Sequence, residues 1–177
     1  SAVNLIKDSM PGLLKFEMAT QVERGVKEIV KYGITEVHDR TLGREGLEIF
    51  RQLIDSNRFP LKVYAIISGE DSAYLASYLS KGIEVNYKDK LTIRAVSLDY
   101  DGAFELQDAA MTDEYKADPK RKIPYVTDAD IENVYSKATE KNFQFYIKAV
   151  GDKAVSNSLS IIEKEFKRLN PKDPRTV

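Results

Sequence analysis

The strongest constraint on the fold of this chain is an alternation of extended and helical segments that repeats four times. Short runs rich in apolar and β-branched residues indicate strands, and each is followed by a segment with apolar residues at helical spacing. The predicted strands cover residues 34–37, 62–67, 91–98 and 143–150. Strand–helix units repeated in this way build parallel sheets through right-handed crossovers. We therefore predict an α/β fold with four parallel β/α units.

Four units are half of what a closed (β/α)8 barrel of about 250 residues requires. Two architectures are compatible with 177 residues: a small doubly wound sheet, or a partial TIM barrel. No linker divides the chain, so we expect residues 1–177 to form a single domain. In the last predicted helix, Val155, Leu159, Ile162 and Phe166 recur at helical spacing, and we expect this stripe to face the core.

Composition excludes several classes of function. Lys and Arg number 27 against 28 Asp and Glu, for a formal net charge of -1, which argues against a protein that binds nucleic acid by neutralising phosphates. The absence of cysteine excludes disulfides, thiolate zinc sites and a cysteine nucleophile, and a single histidine, His38, excludes a multi-histidine metal site. No apolar run approaches the roughly 18 residues that span a bilayer, so we expect no membrane partner and a cytoplasmic location.

Polar residues cluster where the predicted strands end, which is where parallel α/β proteins place their chemistry. The candidate pocket residues are His38, Ser97, Asp99, Asp101 and Lys148. Strand periodicity puts Ser97 and Asp99 on one face of the third strand and Lys148 on one face of the fourth. If these faces meet, Lys148 forms an ion pair with Asp99 or Asp101, and a small-molecule ligand could bind beside it.

A purely structural interpretation of each candidate remains open. Acidic residues after strands commonly cap helices or form turns. His38 on its own is typical of a packed or capping histidine. Lys148 interrupts an apolar strand, yet its long side chain could also extend from a sheet edge into solvent. The same period of two would place Ile93 on the face that carries Ser97.

The stretch from Ser97 to Ala103 resembles the Asp-x-Asp-Gly signature of haloacid-dehalogenase-type phosphotransferases. That resemblance implies Asp99 as the nucleophile, Asp101 as the general acid and Mg²⁺ between them. Gly151-Asp152 is similar to the later metal-binding acid of that family. However, this signature normally opens the fold, whereas about 90 residues precede it here.

A second resemblance covers nearly the whole chain. Gly33-Ile-Thr-Glu-Val-His-Asp39 resembles a stretch of the YtcJ-like amidohydrolases, the amidohydrolase-3 group. Further matches in the same order are Leu47–Leu53, Phe59–Ala65, Leu91–Val96 followed by Asp101-Gly102-Ala103, and Lys148-Ala-Val-Gly-Asp-Lys-Ala-Val155. Their order and spacing together favour a central barrel segment of such an enzyme over the phosphotransferase.

This resemblance implies a metal-dependent barrel hydrolase that acts on non-peptide C–N bonds with zinc or another divalent metal. It also implies that Ser97 stands where the family has a carboxylated, metal-bridging lysine, and Lys148 where it has a metal-binding histidine. A hydroxyl cannot form a carbamate, and a protonated amine repels a metal ion. We therefore expect no cofactor in this chain and no hydrolysis by these residues alone, and a non-catalytic binding or scaffold domain is the alternative. Its open sheet edges predict a homo-oligomer, or the remainder of a barrel, as partner.

Overall fold

The computed structural model of the chain describes residues 14–116 and 126–170. Within these ranges five strands alternate with five α-helices. The strands are β1 (Glu36–Leu42), β2 (Lys62–Ser68), β3 (Glu84–Tyr87), β4 (Leu91–Asp99) and β5 (Gln144–Lys148). The helices are α1 (Lys15–Val30), α2 (Arg44–Asp55), α3 (Ser72–Lys81), α4 (Asp128–Glu140) and α5 (Asp152–Leu169), with a 3₁₀ turn at Phe104–Leu106.

The four predicted strands are present and parallel, in the order β1-β2-β4-β5. They form a half-barrel, which confirms the partial TIM-barrel prediction. The short β3 was not predicted, and it pairs antiparallel with the first half of β4, on the edge that β5 occupies further along. Its hairpin turn uses left-handed residues that lack the usual glycine signal, Asn86, Lys88 and Asp89.

The two faces of the sheet differ in character. One face packs against the helices through fully buried residues such as Val63, Ile67 and Ile93 of the sheet and Leu53 and Tyr135 of the helices. The opposite face, which we call the concave face, is polar along all four parallel strands. Its polar and small residues are His38, Arg40, Tyr64, Ser68, Thr92, Ala95, Ser97, Asp99, Gln144, Tyr146 and Lys148, and the buried Ile66 of β2 lies among them.

Three predictions about strand and helix faces were wrong. The first strand continues through His38 and Asp39 to Leu42, with His38 and Arg40 on one face and Asp39 on the other. Ile93 faces the helices instead of sharing a face with Ser97, since the register between β2 and β4 shifts after Ile93. A shift of one residue moves side chains to the other face of a strand.

The predicted inner stripe of α5 was also wrong. Val155 is 41% exposed and Leu159 62% exposed, whereas Ala154, Ser158, Ile161 and Glu165 are buried. Small side chains at two of these buried positions let α5 lie close to its neighbours. Helix starts fared better: Thr127 caps α4 as predicted, accepting a hydrogen bond from the Asp130 amide at 3.2 Å.

Two further predictions concern the long connection before α4 and the absence of a membrane-spanning segment. The basic stretch Lys120–Lys122 of the long connection lies outside the described residues. Among the helices of the described ranges, we find none with the length and apolar character needed to cross a membrane.

Candidate functional site

A cluster of three charged side chains lies at the carboxyl ends of the strands on the concave face. We call Arg40, Asp99 and Lys148 the strand-end cluster. The Arg40 guanidinium donates a short hydrogen bond to Oδ1 of Asp99, and Nζ of Lys148 lies 3.4 Å from Oδ2 of the same carboxylate. The side chains are 35%, 26% and 40% exposed in that order, so the cluster is open to solvent. This geometry identifies no reaction and no ligand, but it brings two of the predicted residues, Asp99 and Lys148, into contact.

The sheet itself sets this geometry. Asp99 and Lys148 are register partners on adjacent parallel strands, and the Tyr100 amide donates to the Lys148 carbonyl at 2.9 Å just beyond them. Arg40 reaches the carboxylate from β1, two strands away, and its own register partner on β2 is Ile66. Because the opposite charges lie directly beside each other on adjacent strands, the contact follows from strand register and does not need a loop to hold it.

Asp101 has a different role, although only one residue separates it from Asp99. Its carboxylate is 1% exposed and accepts three backbone amides. The donors are Ala110 at 2.7 Å, Val150 at 2.8 Å and Gly151 at 2.9 Å. Asp101 therefore joins the loop after β4 to the turn after β5, and of the two acids proposed as partners for Lys148, only Asp99 contacts it.

Gly151 shows how closely that junction is packed. A Cβ atom at this position would lie 2.0 Å from the Ala110 carbonyl oxygen, which no side chain tolerates. Asp152, the next residue, accepts the Thr112 and Lys153 amides at 2.8 Å each. These hydrogen bonds hold the carboxylate of Asp152 ionised and lower its pKa. The Gly-Asp pair thus closes a turn, which is the structural interpretation left open from the sequence.

Ser97 lies on the concave face one rung below Asp99 and is fully buried. Within the described ranges its hydroxyl has no hydrogen-bond partner. A buried hydroxyl without a partner costs about 1–3 kcal/mol. Ser97 therefore lies beside the cluster as predicted, but its oxygen does not contact Asp99 or Lys148.

His38 is the candidate that the structure separates from the others. Its ring stacks on Tyr64, with ring centroids 4.8 Å apart and 23° between the planes. Through the strand register it lies level with Thr92, near the start of β4, whereas the strand-end cluster is at the end of β4. His38 therefore lies on the concave face but away from the strand-end cluster, and its place in a pocket stays a prediction.

Sequence reasoning missed Arg40 and Tyr64 of the concave face. Arg40 follows His38 by two residues, so extending the strand would have placed it on the same face. Tyr64 donates a short hydrogen bond to the Gln144 amide oxygen across β4, over the small Ala95. Burial raises the pKa of Tyr64 to about 12, with Tyr146 adding to the rise and Arg94 opposing it.

The residues at these strand ends do not fit a divalent metal. Lys148 presents an ammonium, Ser97 a buried hydroxyl, and Asp99 is already shared between two cations. In residues 14–116 and 126–170, no group of three His, Cys, Asp or Glu side chains is placed to hold a metal ion. Mg²⁺ between Asp99 and Asp101 is not favoured either, because backbone amides occupy both oxygens of Asp101.

A parallel half-barrel with its polar cluster at the carboxyl ends of the strands defines this chain as a segment of a (β/α)-barrel protein. The sequence profile of the amidohydrolase family matches residues 2–177, so the chain belongs to that family. No curated protein matches the sequence significantly.

Two solved structures share the fold. Both are described as uncharacterized metal-dependent hydrolases, one from Pyrococcus horikoshii OT3 and one from Pyrococcus furiosus. The first is 21% identical with a TM-score of 0.75, and the match covers 86% of this chain and 31% of that one. The second is 22% identical with a TM-score of 0.76, and covers 86% and 32%. This chain spans about a third of the length of either structure.

Proposed function

We propose that this chain is a central barrel segment of a YtcJ-like amidohydrolase whose strand-end residues bind a small molecule without metal-assisted hydrolysis. The observation that carries the proposal is the shared Asp99 carboxylate, held between Arg40 and Lys148. An ammonium and a guanidinium stand at the mouth of the half-barrel, where the resemblance implies a divalent metal. The charges of the cluster and its exposure to solvent support binding of a small molecule, but its side chains supply no open coordination site for a metal ion.

The chemistry of the family explains why these two positions matter. Metal-dependent amidohydrolases hydrolyse C–N bonds with water activated by a divalent metal. In this chain the positions that resemble metal ligands are Ser97 and Lys148, and their atoms cannot take over ligation. We infer that the cations of the cluster replace the metal's positive charge while leaving no Lewis acid to activate water.

The test is calorimetric titration of the purified chain with Zn²⁺ and with Mg²⁺, beside the Asp99→Asn and Lys148→Met variants. We expect no stoichiometric binding at millimolar metal and no hydrolysis of N-formyl or N-acyl substrates above the rate in buffer with metal. Tight zinc binding that Asp99→Asn abolishes would overturn the proposal. Stoichiometric Mg²⁺ binding with phosphatase activity would support the phosphotransferase instead.

We further propose that residues 1–177 fold as one domain and that its open edges drive association of the isolated chain with a second copy. Among the described strands, β1 pairs only with β2 and β5 only with β4, so each has an edge of unpaired backbone groups. Large apolar side chains are also exposed on the first and last helices of the described ranges: Phe16 on α1 is 66% exposed and Leu159 on α5 is 62% exposed.

Light scattering of the chain at tens of micromolar tests this association. We expect the unmodified chain to be a dimer and Leu159→Lys to be a monomer. Lys153→Glu, at an exposed position of the same helix, is the control for a change of charge. A monodisperse monomer of the unmodified chain would show instead that other segments of a longer barrel normally cover these edges, or that they stay open.

A further inference from the structure

The strand-end cluster holds two cations against the single Asp99 carboxylate. Nζ of Lys148 carries three N–H donors, and its 3.4 Å approach to Asp99 is long for a hydrogen bond between charged groups. Its side chain is 40% exposed, so an incoming anion can reach it from solvent. The mouth of the half-barrel is therefore set to receive an acceptor oxygen beside Lys148.

An aromatic surface lies directly below this cationic group. Tyr146 is two residues before Lys148 on the same face of β5, at a spacing of roughly 7 Å along the strand. It is half-buried, and its register partner on β4 is Ser97. The concave face thus presents a cation above and the Tyr146 ring one rung below.

The spacing selects a class of ligand. A carboxylate bound by Lys148 and Arg40 would place an attached aryl ring at the level of Tyr146, because one rung is about the length of an aryl carboxylate. Ring-on-ring contact adds affinity beyond the charge pairing. A simple inorganic anion would use only the cations, and a neutral aryl compound only the rings.

We propose that the concave face binds small aromatic carboxylates of the benzoate class, with the carboxylate between Arg40 and Lys148 and the ring against Tyr146. This inference rests on the proposed function, because a metal in the cluster would take the place of the ammonium. Asp99 competes with the ligand for both cations, so its charge limits the affinity while its hydrogen bond to Arg40 keeps the guanidinium in place.

Because Asp99 competes with the ligand for the cations, two substitutions should change the affinity for benzoate in opposite directions. Calorimetric titration with benzoate is compared in the unmodified chain, Lys148→Met, Asp99→Asn and the control Lys153→Met, whose lysine is exposed at the start of α5. We expect Lys148→Met to weaken benzoate binding at least tenfold, Asp99→Asn to tighten it severalfold, and the control to change nothing. Tyr146→Leu should reduce the preference for benzoate over acetate, and benzyl alcohol should bind to none of the proteins.

Amide chemical-shift mapping of the unmodified chain keeps the test decisive if a variant fails to fold. Benzoate should shift the amides of Ser97, Asp99 and Lys148, and 0.5 M salt should suppress the shifts because screening weakens the charge pairing. Equal binding of benzyl alcohol, equal weakening in Lys153→Met, or no benzoate binding at 10 mM would overturn this inference. Those outcomes leave the metal titration unaffected, whereas zinc binding would refute the proposed function itself.

Discussion

Replacing Asp101 by asparagine should destabilise the fold, because backbone amides satisfy the charge of this buried carboxylate. Oδ2 accepts the Ala110 and Gly151 amides and Oδ1 accepts the Val150 amide, in a side chain that is 1% exposed. An asparagine has one acceptor oxygen. Its best orientation keeps the two amides on that oxygen and turns its own NH2 group towards the Val150 amide, donor against donor.

The magnitude follows from the number of altered hydrogen bonds. Two bonds lose their charge assistance, at about 1 kcal/mol each, and one buried donor loses its acceptor, at about 1–3 kcal/mol. The neutral amide is easier to bury than a carboxylate, which returns part of that loss. We therefore expect Asp101→Asn to lower the free energy of unfolding by about 2–4 kcal/mol.

Urea denaturation followed by far-UV circular dichroism measures this difference, with m-values compared to confirm that the transition stays cooperative. Asp113→Asn is the matched control, because Asp113 is an exposed acid of the same loop. We expect the control to change stability by less than about 0.5 kcal/mol. A loss in Asp101→Asn no larger than that of the control would refute the assigned role of these three hydrogen bonds.

Three further perturbations test other parts of the site. Ser97→Ala should leave the free energy of unfolding in urea unchanged or raise it by up to about 1 kcal/mol, because it removes an unsatisfied buried hydroxyl. A clear loss of stability would reveal a partner for that oxygen. Gly151→Ala should cost about 2–3 kcal/mol, because its Cβ would lie 2.0 Å from the Ala110 carbonyl oxygen, and a neutral result would show that the loop shifts freely. Burial raises the pKa of Asp39 above its ordinary value of 3.8, so the native state takes up this proton at higher pH than the unfolded state and ionisation costs stability at neutral pH. Asp39→Asn should therefore raise the midpoint at about pH 7 and lose this advantage at about pH 3, and an equal gain at both would point to another cause.

The parallel fold could be predicted from the sequence because it depends on the hydrophobic period of each segment and on the order of the segments. Four extended runs alternating with helical ones leave few topologies, and the Lys148–Asp99 contact follows once two adjacent parallel strands have their polar faces aligned. The helix cap at Thr127 is equally local, since it depends on residues three positions apart.

The predictions that were wrong concern features that long-range packing determines. The irregularity after Ile93 reverses one face of β4, and no local pattern marks it. The faces of α5 were misjudged because Ala154 and Ser158 are small and pack closely, whereas the larger Val155 and Leu159 remain exposed. Arg40 was missed since its importance depends on reaching a residue two strands away.

The two acids of the Asp-x-Asp sequence separate structure from function at this site. Asp99 is balanced by side chains, on an open face, so its substitution alters the charge of the cluster while the sheet keeps its hydrogen bonds. Asp101 is balanced by backbone amides in a closed junction, so its substitution alters the loops themselves. A loss of ligand binding in an Asp101 variant would therefore say little about chemistry. Opposite effects of Asp99→Asn and Lys148→Met on the same ligand can arise only from the charge of the cluster, because both substitutions break the same contact.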